Sequence, residues 1–331
     1  MSKVVNRLGR PAATAAAAVV LSLTASGCMT VHGELEIVPT TTNAQAARAL
    51  DAFVSAYTKA ERTYDRADDA AYVTGPLGAI DTAKLKVARK LHPEGNENPQ
   101  PLKLTDVNYT IPKKAGWPRW FVADADNNRF QGFRWVMVFT RDDVGEPWAV
   151  SYLMLFRDGK VPKFKTDADG YGEAVGNDSA ALATKPSALS KKYADYLDPK
   201  SGGGDGFAEG PYTTQWRTDR KKNLSRPGLA TQYIDEPLTS GDYAPVALRT
   251  ADGGALVFFT TRRYVKQTAS LGSDLPAINV DVKTLMTGDA KQSALYGYVS
   301  NQAALVPARG SAGSGVDVIS RLEGITSAEG S

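Results

Sequence analysis

The order of two helical patterns followed by four strand-like runs occurs twice along this 331-residue chain, and no other feature limits its fold as much. In the first pass Ala47, Leu50, Phe53, Val54, Tyr57, Ala60 and Tyr64 recur at three- and four-residue steps. Arg48, Asp51, Lys59, Arg62 and Asp65 take the opposite face. A second helical piece covers Asp81 to Lys90. Strand-like runs follow at 102–111, 119–125, 133–141 and 148–157, separated by breaks rich in Asp, Gly and Pro. The second pass has helical patterns at 186–197 and 208–222, then runs at 229–238, 245–251, 255–265 and 293–308. The turn "DADNN" at 124–128 corresponds to "TADGG" at 250–254. Helices followed by a meander of long strands is an α+β order, not a βαβ order. A Gly- and Asp-rich gap from Thr166 to Ala181 separates the two halves, which gives a first domain over 44–166 and a second over 180–325. Residues 266–292 have no counterpart in the first half, 310–315 read as a flexible loop, and "VDVISRLEGIT" reads as a last strand.

The first ten residues carry Lys3, Arg7 and Arg10 and no acid, and an apolar run of about a dozen residues ends at Leu23. A spanning helix needs roughly 20, so this is the pattern of a signal peptide over 1–27, not of a permanent anchor. Ala25, Ser26 and Gly27 then lead into Cys28, the single cysteine of the chain. With no second cysteine there is no internal disulfide, and a free thiol outside the cell would be an oxidation liability. Ala25-Ser26-Gly27-Cys28 resembles the bacterial lipobox, with Ala25 where the commonest form has Leu. The resemblance implies cleavage between Gly27 and Cys28, lipidation of Cys28 (a palmitate-type modification), and a lipidated tether over 28–43 with Asn43 as a helix cap. It places the protein on the extracytoplasmic face of the cell membrane, held by its N-terminal lipid.

The formal charge of +3 comes entirely from Lys3, Arg7 and Arg10; without them 36 basic side chains face 36 acidic ones. A near-neutral body does not suit a nucleic-acid binder, which shows a basic face. The densest basic run, "RTDRKK" at 217–222, reads as a solvated helix face. The helix at 44–65 with strands at 102–157, and their counterparts at 186–308, resemble the nuclear-transport-factor-2-like fold, also called the SnoaL-like or cystatin-like α+β cone. The resemblance implies two tandem cone-like domains, each with helices packed on a curved antiparallel sheet around an apolar mouth. With the lipobox, the chain is similar to uncharacterised secreted lipoproteins of bacteria. Fold alone does not choose the function.

The strands supply aromatic residues at alternate positions: Phe133, Trp135, Met137 and Phe139 on one, Trp148, Val150, Tyr152, Met154 and Phe156 on the next. Most pack a core. At the mouth, Trp120, Trp135 and Tyr152 are candidates for a ligand pocket, with Tyr296 and Tyr298 playing that part in the second half. Two histidines, His32 in the tether and His92 before Pro93, cannot supply a zinc site. "DADNN" (Asp124, Asp126, Asn128) and "DADGYGE" (Asp167, Asp169, Glu173) offer alternate oxygens suited to calcium, but the first has Arg129 where the sixth-position Gly belongs and Trp135 where the twelfth-position Glu does. Asp and Asn also favour turns on their own account. "KSG" at 200–202 has no Ser-x-x-Lys to accompany it, and there is no G-x-S-x-G and no phosphate-binding loop. No metal, no cofactor and no catalytic residue is assigned. The expectation is a non-enzymatic envelope lipoprotein that binds a protein partner or an apolar or glycan ligand. The alternative is an isomerase or cyclase of the SnoaL-like type using a Tyr/Asp pair, Tyr109 with Asp106 or Tyr233 with Asp235.

Overall fold

The computed structural model describes residues 36–202, 206–311 and 315–331; the signal segment, Gly27, Cys28 and His32 lie outside the described residues. The protein is α+β. Helix α1 (Asn43–Thr63) is started by Thr42, not Asn43: the Thr42 hydroxyl accepts from the Gln45 N–H while the Gln45 side chain accepts the Thr42 N–H. Thr42 is the residue whose backbone is extended, so it, one step earlier, makes the capping box. The fold begins inside the stretch read as tether, because Val38–Pro39 pairs with Pro112–Lys114 and Thr40 and Thr41 are buried. Helix α2 (Gly75–Leu91) starts six residues before Asp81, with Pro76 in its first turn, where a missing N–H costs nothing.

Strands β1 (Leu104–Thr110), β2 (Arg119–Asn127), β3 (Phe133–Arg141) and β4 (Ala149–Arg157) form an antiparallel meander in sequence order. Asp124 to Asp126 continue β2 against β3, and Asn127 still pairs with Leu104 on β1, so the turn expected at 124–128 falls just beyond them. Alternation holds along β3, where Trp135, Met137 and Phe139 face α1. It fails on β4. Val138 pairs with Tyr152 but Phe139 pairs with Val150, which leaves Ser151 as an extra residue in the ladder. That β-bulge reverses the faces: Trp148 and Val150 pack under α1, while Tyr152, Met154 and Phe156 look the other way. The α1 side is filled by Phe53, Phe121 and Phe139, all fully buried, with the last two stacked at 4.7 Å. Each ring buried in this way stabilises by roughly 1.5–3 kcal/mol.

The second sheet is built from β5 (Leu229–Leu238), β6 (Val246–Arg249), β7 (Ala255–Ala269), β8 (Ser293–Val306) and β9 (Asp317–Gly330). Strands β6 and β5 occupy successive stretches of one edge of β7, pairing with 255–258 and 260–269. On the other edge β7 pairs with β8, and β8 with β9. Helices α3 (Pro186–Leu197) and α4 (Thr214–Asn223) precede it. The second begins later than the expected 208, because Phe207 bridges to Val316 and the Ala208 N–H bonds to the Val316 carbonyl, which draws that stretch into the sheet. A short helix, α5 (Val280–Leu285), lies in the 266–292 insertion.

Four layers result. Helix α1 covers the outer face of the first sheet; α3, through Leu189 and Tyr193, covers Val257 and Phe259 on the second. Between the sheets, Val122, Val136, Met154 and Phe156 meet Leu248, Leu256 and Phe258. Helix α2 packs against β4, β8 and β9 and so touches both sheets. The Gly- and Asp-rich stretch is stitched down on both sides: Gly172–Glu173 runs beside Pro112–Lys113, Phe164 bridges to Thr250 and Ala174 to Leu248.

Candidate functional site

Where one end of the two sheets meets, a cleft of about 500 Å³ opens between Trp120 on β2, Tyr152 just past the bulge on β4, and Val246 and Ala247 on β6. Lys114, Trp117, Asp142 and Asp242 also line it. Local chemistry explains each placement. The bulge at Ser151 turns Tyr152 toward the second sheet, where its hydroxyl lies 3.0 Å from the Ala244 carbonyl oxygen and accepts from Thr260 Oγ1 at 3.3 Å. Burial drives its ionisation far above the ordinary tyrosine range, and its hydroxyl ties the 241–244 turn to β4. Lys114 is half-buried and donates to the Ala115 carbonyl at 3.0 Å; burial first, then Arg119, holds its pKa below the usual lysine value. Burial first, then Asp242 and Glu146, raises Asp142. The cleft is thus apolar at its floor, with a cation and two carboxylates at its rim, which is the usual make-up of a small-molecule site.

Of the five aromatic residues proposed from sequence, Trp120 and Tyr152 come together here. Trp135 does not join them: it sits on the opposite face of the first sheet, in the core under α1. Tyr296 and Tyr298 lie on the helix-covered face of the second sheet. There Asp235, Arg263 and Tyr298 form a row in register across β5, β7 and β8. Arg263 lies 4.0 Å under the Tyr298 ring and pairs with Glu323, which also pairs with Arg321 and accepts from Ser300 Oγ at 2.5 Å. Burial alone would raise Glu323, but Arg321 and Arg263 outweigh it and hold the carboxyl below its ordinary range. Asp235 is paired by both ends of the Arg220 guanidinium, and Tyr233 lies over that same arginine. The Trp216 ring caps the group, 4.2 Å from Arg321. Arg220 therefore leaves the solvated face expected for "RTDRKK": its side chain is 3% exposed, because Asp235 offers a buried partner on a neighbouring strand.

The remaining acidic motifs are occupied by arginine and lysine. Arg134 holds Asp124, Asp126 and Asp106 at 2.7–2.8 Å. Tyr109 instead packs edge-on to Phe121. Asp167 accepts from Lys113 and from the N–H groups of Asp169 and Tyr171, which is a turn-forming role. Among the described residues no three His, Cys, Asp or Glu side chains are grouped as metal ligands.

Sequence reasoning missed one pair altogether. Asp69, which follows α1, and Asp81 on α2 are both buried, and none of their four oxygens has a partner outside the pair. Burial first, then the Asp81 charge, pushes Asp69 up to about 8, and burial also raises Asp81. The signal was present: Leu77, Asp81 and Leu85 fall on one four-residue stripe of a buried helix face.

With the geometry in hand, comparison with known proteins gives a family. The model of a domain of unknown function, DUF8094, matches residues 37–330. The chain belongs to this family. A 53% identical relative, an uncharacterised lipoprotein of Streptomyces coelicolor, aligns over 325 residues, 98% of this chain and 97% of its own length. An uncharacterised lipoprotein of Streptomyces avermitilis is 52% identical over 325 residues with the same shares. A second Streptomyces coelicolor lipoprotein is 27% identical over 332 residues, 90% of this chain and 89% of its own. No solved structure matches. The DUF8094 match opens one residue before the Val38–Pro39 strand and closes on the last residue of β9, so it includes both sheets, the cleft and the arginine cluster.

Proposed function

We propose that this chain is a non-enzymatic lipoprotein of the cell envelope, anchored through lipid on Cys28 at the extracytoplasmic face. Its two α+β units, 44–166 and 180–325, meet at a cleft that takes an apolar or glycan-like ligand. The observation that carries the anchoring is the alignment with the 53% identical lipoprotein: it covers 98% of the chain and so runs through Ala25-Ser26-Gly27-Cys28. Among the described residues no helix is long and apolar enough to cross a membrane, which agrees with attachment by lipid. The cleft supports the binding role through its apolar floor and charged rim.

The engaged state of the acid–base groups favours binding over catalysis. An isomerase or cyclase would need a phenol and a carboxylate free to face a cavity. Asp235 and Asp106 are each held by an arginine, and the Tyr152 hydroxyl is bonded within the fold. A contact with an envelope protein through the same rim is the second form the binding role takes.

Metabolic labelling with a fatty acid tests the anchor: label on wild type and none on Cys28→Ser is expected, and equal label on both refutes it. The cleft is tested by thermal shift of the purified lipoprotein against a panel of oligosaccharides and single-chain amphiphiles, with Val246→Trp narrowing the site. A shift that Val246→Trp leaves unchanged places binding elsewhere.

A further inference from the structure

We propose that Arg119 and Arg141, stacked on the Trp117 ring, together with Lys114 where the N-terminal segment leaves the fold, form the face that this lipoprotein lays on the anionic phospholipid headgroups of its own membrane. The inference rests on the lipid anchor at Cys28. Its first support is the length of the tether. Val38 pairs with Lys114, and Ile37, 69% exposed, leads out of the fold beside it. Nine residues separate Cys28 from that exit, a reach of about 30 Å at full extension. A body of this size has a radius of gyration of about 19 Å, or roughly 50 Å from side to side. A tether shorter than the body keeps its exit end toward the bilayer.

The second support is what stands at that end. Arg119 and Arg141 are directly opposite in the last register of β2 and β3. Their guanidinium carbons lie 4.8 and 5.4 Å from the Trp117 ring centroid, and Arg141 is also 4.7 Å from Trp148. Burial first, then the Arg119 charge, depresses both Lys114 and Arg141, so the three cations lie within one another's field. Among the described residues none of the three forms a salt bridge. Neighbouring Lys113, by contrast, is matched by Asp167 and Asp169. Asp143, whose field reaches Arg141, is turned to accept from the Gly145 N–H. Asp142 lies within the field of Asp242 at the cleft.

Three like charges with only the partial counter-charge of Asp143 are unfavourable unless something outside the chain supplies more. Guanidinium groups stacked on an aromatic ring keep their N–H edges free for phosphate oxygens. A half-buried tryptophan flanked by exposed Pro118 and Ile37 suits the headgroup level of a bilayer. Each basic group close to an anionic surface strengthens attachment about fivefold, and three together about a hundredfold.

The test uses the mature lipidated protein, reconstituted into phosphatidylcholine vesicles with or without phosphatidylglycerol, whose acyl chains carry bromine as a tryptophan quencher. Quenching should rise when phosphatidylglycerol is present, fall again with added salt, and disappear in Trp117→Phe. Arg119→Gln combined with Arg141→Gln should remove most of the phosphatidylglycerol dependence while the protein stays on the vesicles. Equal quenching of wild type in both vesicle types overturns the proposal whatever the variants do. So does quenching that Trp117→Phe does not change, or Trp117 emission that responds equally to soluble glycerophosphate without vesicles. A chain that carries no lipid and washes off both vesicle types refutes the anchor instead, so the two failures are distinguishable.

Discussion

Stability of this protein should fall as pH rises through neutrality, and the Asp69–Asp81 pair is the reason. In the unfolded chain both carboxyls titrate near 3.9. In the folded chain burial raises both, helped at Asp69 by the charge of Asp81, which takes Asp69 to about 8. Between those values the folded state keeps a proton that the unfolded state has released. The folded state therefore binds more protons, and the free energy of unfolding falls with pH across the window from about 4 to about 8, then levels. From 3.8 to about 8, at about 1.4 kcal/mol per pH unit, the loss is about 6 kcal/mol at most. That is a large share of the roughly 5–15 kcal/mol by which proteins are stable. The groups facing the pair do not confuse the window. Tyr57 on α1 is pushed up to about 12, chiefly by burial, and Lys84 on α2 is raised because Tyr57, Glu61 and Asp81 outweigh its burial. Glu61 is held below its ordinary range because Arg129 and Lys84 outweigh its burial. Glu61 and the other depressed carboxylates, Glu173 and Glu323 among them, lose their contribution only in acid, below the window.

Urea unfolding followed by tryptophan fluorescence at pH 5, 6.5 and 8 measures the slope. The decisive variant is Asp69→Asn, whose amide still donates to an ionised Asp81 but has no proton to lose. It should flatten most of the slope and be more stable than wild type at pH 8, an unusual result for a substitution in a buried site. A wild-type midpoint that is flat or rising from pH 5 to pH 8 would refute the reasoning. An Asp69→Asn midpoint below that of wild type at pH 8 would do the same.

Two further outcomes follow from the buried contacts. Asp235→Ala strands Arg220, whose side chain is 3% exposed, and should cost about 3–5 kcal/mol, whereas Arg220→Met with Asp235→Leu should recover most of it. Calorimetry reads the difference as a Tm drop of roughly 10 °C for the single variant, and a drop of a degree or two would contradict the burial. Gly75→Ala must place a Cβ 2.4 Å from the Asp242 carbonyl oxygen at a φ of +53°, whereas Gly241→Ala, at +58°, meets open space. The second should lose about 1 kcal/mol and the first clearly more, measured side by side in urea; equal losses would mean that the contact between α2 and the 241–243 turn is not made.

The α+β order, the helix at 186–197 and the aromatic face of β3 were legible because each rests on a local period that tertiary contacts did not override. Ser151 was not: a bulge adds one residue to a ladder, and nothing in "WAVSYLMLF" marks which residue is the extra one. Burial of Arg220 was hidden for a different reason. Its run has the polar pattern of a solvated helix, and its partner Asp235 reaches it only through the packing of α4 on β5. The cleft had no local signature, since its walls come from residues far apart in the chain; Trp120 and Tyr152 both line it because both stand near the same end of their strands.

The twofold order also suggested an equivalence that the faces do not share. Reading Trp120, Trp135 and Tyr152 as counterparts of Tyr296 and Tyr298 assumes that each half presents the same chemistry on the same side. In the first half the helix-covered face is dry: Phe53, Phe121, Trp135 and Phe139 fill it, and its large polar-tipped aromatic, Tyr152, is turned out by the bulge toward the other sheet. In the second half the helix-covered face is apolar only under α3; under α4 it carries Arg263, Arg321, Glu323 and Asp235. A solvent-lined opening needs a face that is neither filled by a helix nor closed by ion pairs. The helix-covered faces of the two sheets are closed in these two different ways, so the largest cleft described falls where the sheets meet each other. A ligand held there touches both units at once, and a substitution in either half should weaken it.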